Sequence, residues 1–373
     1  MENWRCELDL VSLSNLPFPA IVEELDFEEI VKRKLNKVKE ILADKGIEYQ
    51  ESEADDLMTL IEMDSYEEIA LRASLNERIK QNFLAYATSS NLDHIGATRF
   101  GVERLQGKEP VAKYEFSLSL AQDSDVVLPK GLLLGSGEDI AELMEDIVIK
   151  TGELSAVGEV KLRAFVKSSE VKLEDILTPI PWVVTATQLT PFENGAEIED
   201  DERYRDRIWL SRERKTTAGS KLQYIFYAKS ADVRVQEADV RNGGAGVVEV
   251  AILQEGFNTS DELVEIVKTA LDKEEIRPLT DSVVVKKAVV KDVTIKATLF
   301  AKDISLVDTQ RIKDSFSEFE GKFGARLSIA KVYDLLTDSN IVDVSLESPS
   351  EVTNCEWDEV IKFSFELGVQ DAS

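Results

Sequence analysis

The chain has 373 residues, 72 of them acidic and 44 basic, for a formal charge of −28. That length exceeds one ordinary core, so two or three domains are expected; a field of that sign repels phosphate backbones and excludes nucleic acid as a natural partner. Hydrophobic residues make up 43% and charged residues 31%, with 18 glycines and 9 prolines, which excludes wholesale disorder.

Residues 1–25 read as an extended arm, because Leu16-Pro17-Phe18-Pro19 cannot be helical. The arm is either a frayed tail or a strap along a neighbour, anchored by Phe18 and Ile21. Its opening, MENWRCELDL, has no basic segment followed by an apolar one, so no secretory signal is expected. Residues 26–106 form a helical part. Asp26 followed by Glu29 predicts a capped start, and Ile30, Val31, Leu35, Val38, Ile41 and Leu42 form an apolar stripe that ends at Gly46. A second helix is predicted from about Ala54 to Ser89. Leu71, Leu75, Ile79, Phe83 and Ala87 recur along it, and Tyr66, Ile69, Ala70 and Ala73 add a second strip. A helix apolar on two sides sits centrally or packs against another chain. The stretch Asn91–Gly96 is expected to cap it and turn the chain.

From Gly107 the period becomes twofold, and residues 107–199 read as a mostly β insertion. Ala112, Tyr114, Phe116, Leu118 and Leu120 alternate with polar residues. Further strands are expected at Val126–Leu128, Leu132–Leu134, Asp146–Lys150 and Val157–Val166, with a turn at Pro129-Lys130-Gly131. The acidic run Gly137–Asp146 reads as a short helix or a long loop.

Residues 200–290 and 291–373 read as two α+β parts. An arginine-rich segment, a small-residue turn at Thr216–Ser220 and a segment carrying Tyr224, Phe226 and Tyr227 predict two joined helices. Strands follow at Val233–Val240 and Val247–Leu253, joined by Arg241-Asn242-Gly243-Gly244. Thr259 and Glu262 suggest a second capping box, for a helix to about Lys273. Strands at Val283–Val290, Val293–Phe300, Ile341–Leu346 and Val360–Phe365, with helices near Leu306–Phe319 and Ser328–Asp338, complete the chain. The expected fold class is multidomain α+β, with a helical N-terminal part, a mostly β insertion and a C-terminal α+β part.

Chemistry is sparse. His94 is the sole histidine, in a polar turn, so a triad or a histidine-rich metal site is not expected. Cys6 and Cys355 stand far apart with no CxxC pair, which points to a reducing compartment and no reactive thiol. Gly243–Gly246 lacks the lysine and hydroxyl of a phosphate loop and precedes a strand. The 72 acidic residues offer many carboxylate pairs, which keeps a cell-wall glycosidase open as an alternative and makes any chosen pair uninformative. A stand-alone acidic adaptor is a third reading. No cofactor or metal site is expected, and no apolar run reaches the length of a membrane span. Arg203, Arg205, Arg207, Arg212 and Arg214 form a basic island. It serves either intrahelical pairing with Glu202 and Asp206 or docking onto another copy or a partner, with Arg203, Arg207 and Arg212 as docking candidates. For the helical part, the candidates for copy-to-copy packing are Leu71, Leu75, Ile79 and Phe83.

Several stretches resemble the baseplate J-like family of contractile phage tails. They are Asp201–Ile208, Thr217-Ala218-Gly219-Ser220, Tyr224, Ala228–Asp232 and Arg277-Pro278-Leu279-Thr280-Asp281, with Pro19–Phe27 and Leu84–Leu105 similar to the amino-terminal signature of phage P2-type members. The resemblance covers most of residues 16–300, more loosely over 107–190. It implies a structural protein and not an enzyme: a wedge subunit whose copies join through their helical parts and link wedges into a ring around the hub and spike. It further implies, as partners, other copies of the chain, a tail protein I-type wedge protein, a lysozyme-like sheath initiator, and hub, spike and sheath proteins. The implied location is the baseplate of a virion or related contractile particle such as a tailocin, after assembly in the bacterial cytoplasm. Ring rearrangement on target contact would release sheath contraction.

Overall fold

Periodicity changes twice along the chain, and the architecture follows it. A computed structural model describes residues 16–19, 21, 23, 25–50, 56–180, 184–215, 219–244, 246–273, 275–278 and 280–372. The expected start of the second helix at Ala54, Cys6, and most of the Thr216–Ser220 turn lie outside the described residues. The chain divides into two compact units, Met1–Glu103 and Arg104–Ser373.

In the first unit, α1 (Phe27–Asp44) starts where Asp26 accepts the Glu29 N–H at 3.1 Å. It packs on α2 (Asp56–Lys80), burying Ile30, Leu35 and Ile61 between them. Ion pairs stitch the two helices: Arg33 to Glu68, and Lys34 to Asp64 at 2.6 Å and to Glu68 at 3.0 Å. The expected run to Ser89 stops at Lys80. Asn82 turns its side-chain amide onto the carbonyls of Arg78 (2.9 Å) and Ile79 (3.4 Å), which competes with the backbone ladder and ends the helix. Phe83 and Ala87 therefore lie beyond it. Instead of a turn, Ser89–Ile95 forms α3, which carries an exposed His94. It runs on into a π-helical turn, Gly96–Phe100, closed by Gly101 at φ 62°.

The second unit opens with antiparallel strands: β1 (Val111–Leu118), β2 (Val126–Leu128), β3 (Leu133–Ser136), β4 (Asp139–Leu143), β5 (Ile147–Ile149), β6 (Ser155–Leu162), β7 (Asp175–Ile176) and β8 (Val184–Gln188). Six form one sheet in the order β7-β3-β4-β6-β1-β8, and β2 pairs with β5. Tyr114, Phe116, Leu128, Leu134, Val160 and Phe192 fill the core. The acidic run is neither helix nor loop but contains β4. Ala141 and Leu143 point into the core, while Glu142 on the other face pairs with Lys161 at 2.8 Å and with Arg163. Acidic residues obscured a twofold alternation that burial enforces.

Then come α4 (Asp201–Leu210), α5 (Lys221–Ala231), β9 (Val235–Gly244), β10 (Val247–Gln254), α6 (Asp261–Leu271) and β11 (Ser282–Lys287). β10 pairs antiparallel with β9 and, across α6, parallel with β11. The expected hairpin turn at Arg241–Gly244 is still strand; the reversal falls beyond it, with Gly246 at φ 78°. The cap of α6 is Ser260, whose hydroxyl accepts the Leu263 N–H, because Thr259 turns its own hydroxyl to the Gln254 N–H. Last are β12 (Val289–Ala301), α7 (Thr309–Ser315), β13 (Arg326–Leu327), α8 (Ile329–Leu336), β14 (Ile341–Ser348), β15 (Thr353–Asn354) and β16 (Glu359–Asp371). β12 lies between antiparallel β14 and parallel β16, and Ile295, Leu299, Phe316, Val332 and Ile361 form the core. The α+β class and its three-part texture hold.

Candidate protein-protein interface

Two regions carry the sequence candidates, one in each unit. On α2 the inner face holds the ion pairs and Ile61, and the solvent side carries large apolar side chains among charged ones such as Glu62, Glu67 and Glu77. Leu60, Met63, Tyr66, Leu71 and Leu75 are exposed, Leu71 at 62% and Leu75 at 47%. An isolated soluble helix has little reason to show five large apolar side chains to water. Ile79 is half-buried, and Phe83, at 38% exposure, sits in the turn after the helix. The structure thus brings Leu71 and Leu75 onto one surface, and Phe83 is not part of that helical stripe.

The described part of the arm lies on its own α2. Buried Asn76 reads the backbone of Glu23 in both directions, accepting its N–H at 3.1 Å and donating to its carbonyl at 2.9 Å. Arg72 pairs with the Glu23 carboxylate at 2.6 Å. Tyr86 donates to the Leu16 carbonyl at 2.5 Å and packs at a tilt against Phe18, ring centroids 5.1 Å apart, and the Lys80 ammonium lies 4.4 Å from the centre of the Phe18 ring. Phe18 and Ile21 nonetheless stay about 60% exposed, so a strap held by its backbone keeps its apolar side chains outward. Asn76 escaped sequence reasoning because an asparagine inside a helix carries no signal of what it faces.

At the α4–α5 joint two arginines of the basic island, Arg203 and Arg207, are spent inside the chain. Arg207 is buried and forks onto Glu199 with contacts of 2.8 and 2.7 Å; Glu199 is fully covered. The same carboxylate accepts the Leu105 N–H at 3.0 Å, and Arg104 donates to the Glu199 carbonyl at 2.6 Å and to Asp201 at 2.6 Å. The entry and exit of the β insertion are therefore clamped to the start of α4. Arg203 donates to the carbonyls of Val233 and Val235, tying α4 to β9. These two arginines are not a docking surface, a correction with a plain cause: each meets a buried acceptor that no spacing rule marks. Arg212 is the exposed one, with its guanidinium 3.8 Å from the Trp209 ring.

The joint also brings two distant stretches together. Asp200 and Ser220 cap α4 and α5. Tyr224 donates to Asp281 at 2.8 Å, and burial, followed by that carboxylate, pushes the Tyr224 hydroxyl well above its ordinary pKa. Arg277 holds the Asp281 carbonyl at 2.7 Å, and Gln223 the Ile276 carbonyl at 2.9 Å. Gly219, at φ 69°, lets the turn approach Pro278 and Asp281, which a Cβ would meet at 3.2 Å. Farther along, Arg234 is wholly buried against Asp232 and Glu262, and Glu262 also takes Lys108. Arg234 borders a cleft of about 500 Å³ whose other cation, Lys167, pairs with Glu255. Among the described residues, no group of three or more His, Cys, Asp or Glu side chains is placed to hold a metal ion, and no helix is long and apolar enough to cross a membrane.

Comparison with known proteins places these features. Residues 53–109, which contain α2 and α3, match the baseplate J-like N-terminal domain, and residues 216–287, which contain α5 through β11, match the baseplate J-like central domain. Baseplate protein J of Escherichia phage P2 is 23% identical over 354 residues, covering 92% of this chain and 91% of that protein. A chain in the cryo-EM structure of the anti-feeding prophage baseplate, 6-fold symmetrised, aligns over 91% of this chain and 90% of its own length, at 11% identity and a TM-score of 0.44. The exposed helix lies in the first matched domain and the Tyr224–Asp281 joint in the second; the two baseplate J-like matches fall in order along the chain, and the likeness to baseplate protein J runs along most of both proteins.

Proposed function

We propose that the chain is a wedge subunit in the baseplate of a contractile phage tail or related particle. It links wedges into a ring around the hub, and it serves as a structural element, not an enzyme. The observation that carries this reading is the alignment with baseplate protein J along 92% of the chain. The exposed leucines of α2 supply the physical means. Helical residues 26–106 form the association part, and Leu71 and Leu75 pack against another copy. The tail protein I-type wedge partner, the lysozyme-like sheath initiator and the hub, spike and sheath proteins complete the contacts of the ring. Release of sheath contraction requires interfaces with two packings of similar free energy, biased by target contact.

The test is composition and assembly. Intact particles should contain the chain, and particles made with a Leu71→Asp/Leu75→Asp chain should lack a closed baseplate. Absence of the chain from intact particles overturns the proposal. Hydrolysis of peptidoglycan by the purified chain, abolished by one carboxylate substitution, would overturn its structural-only character.

A further inference from the structure

β16 is thirteen residues long and lies at the edge of its sheet, with β12 as its ladder partner. Its outer edge is covered over the first half only. Gly324 and Gly321 donate to the carbonyls of Glu359 and Ile361, and Glu320 accepts the Phe363 N–H. These contacts show which residues face outward: the odd-numbered ones. Ala372, even-numbered, bonds inward to Ala301 of β12. The backbone groups of Phe365, Leu367 and Val369 therefore also point out, and among the described residues no hydrogen bond reaches them from that side. Their side chains are half-buried on the core face, and Phe365 and Leu367 pack against the core. Ile304 and Leu306, both exposed, follow the end of β12. An open edge beside apolar side chains is a receptor for an added strand.

The chain itself carries a donor of matching length. Trp4, Cys6, Leu8 and Leu10 alternate strictly with Arg5, Glu7 and Asp9, a half-buried strand pattern over seven residues, as many as Phe365–Asp371 offer. Charge selects the direction. In parallel register, with Arg5 beside Glu366, Glu7 falls beside Gly368 and Asp9 beside Gln370. Glu366 already has Lys296 on its inner side, so it would stand between two cations. The antiparallel register centred on the same Gly368 sets Asp9 against Glu366, which is repulsive. The parallel register also places Trp4, Cys6 and Leu8 beside Phe365, Leu367 and Val369. The spacer Val11–Asn15 spans at most about 17 Å before the backbone contact at Leu16.

We infer that the outer edge of β16 over Phe365–Asp371 receives Trp4–Leu10 of a second copy as an added parallel strand. The choice of a second copy rests on the ring-linking reading above; the edge and the register do not. Natural Cys6 makes the test direct. Full-length Leu367→Cys chain, mixed as isotopically light and heavy copies and mildly oxidised, should shift to twice the chain mass on a non-reducing gel. Peptide mapping should find Cys6 joined to position 367 across light and heavy copies. The shift should vanish in Leu367→Cys/Cys6→Ser, and Gly368→Cys, whose side chain faces the opposite side of the sheet, should not link. A second pair, Leu8→Cys with Val369→Cys in a Cys6→Ser background, keeps the test independent of any cost of opening Leu367. The inference is overturned if dimer persists without Cys6, which means that the edge pairs with itself. A link formed within one chain, or no link with either pair, overturns it equally. None of these outcomes bears on whether the chain is found in intact particles.

Discussion

The two candidate regions solve opposite problems. α2 is 25 residues long, yet its large apolar side chains mostly face out, and its inner contacts are ion pairs with α1 and an asparagine that grips the arm. The α4–α5 joint is shorter and turns everything inward: Tyr204, Ile208, Tyr224, Phe226 and even Arg207 are buried. The joint makes its ion pairs and core contacts within one chain. The helix leaves large apolar side chains facing water. Arginines that looked like docking charge belong to the inward-turned region, and plain leucines to the outward-facing one.

If the joint is self-contained, its largest weakness is the buried ion pair. Glu199→Ala would leave the Arg207 charge buried without its partner and should cost about 3–5 kcal/mol in denaturant unfolding of the second unit. A loss near zero would show that Arg207 reaches solvent, and the contrast would fail. Next, Asn76→Ala removes both bonds to Glu23 and should destabilise the strap by about 1–3 kcal/mol, read as faster proteolysis ahead of α1 with helicity unchanged. Tyr224→Phe deletes the bond to Asp281 and should cost about 1 kcal/mol, seen as a lowered unfolding midpoint.

Acid should separate the two regions. Arg33, then Lys34 and Arg72, hold the Glu68 carboxyl down to about 2, against an ordinary 4.5. A depressed folded pKa means that this contribution is present above about 4.5 and is lost as pH falls towards about 2. The α1–α2 contact should loosen across that window, and high salt should reduce the effect because these charges are solvated. Circular dichroism at low and high salt would check it. Smallest of all for folding is Leu75→Asp, expected within about 0.5 kcal/mol because the side chain already faces water. Its effect should appear as lost association in sedimentation; collapse of the fold would instead make Leu75 internal core and erase the contrast with the joint.

Much of the secondary structure was legible because it is local. Periodicity located β1, β2, β5 and β6, and the capping residue Asp26 marked a helix start that the structure keeps. The failures share a cause. β4 was hidden because its outward positions are acidic, and only the cations Lys161 and Arg163 on the neighbouring segment explain them. The end of α2 was misplaced because an asparagine side chain, not a glycine or proline, closes it.

Sequence by itself determined the α+β class, the change of period from helix to strand and the ordered motifs that resemble the family. Those properties depend on residue type and on neighbours a few positions away. Tertiary structure alone decided which side of α2 is outward, that Glu199 takes Arg207, that Asp281 meets Tyr224 and that half of β16 is left open. Each joins groups far apart in the chain, and one carboxylate among 72 has no mark of its own until folding sets a cation beside it.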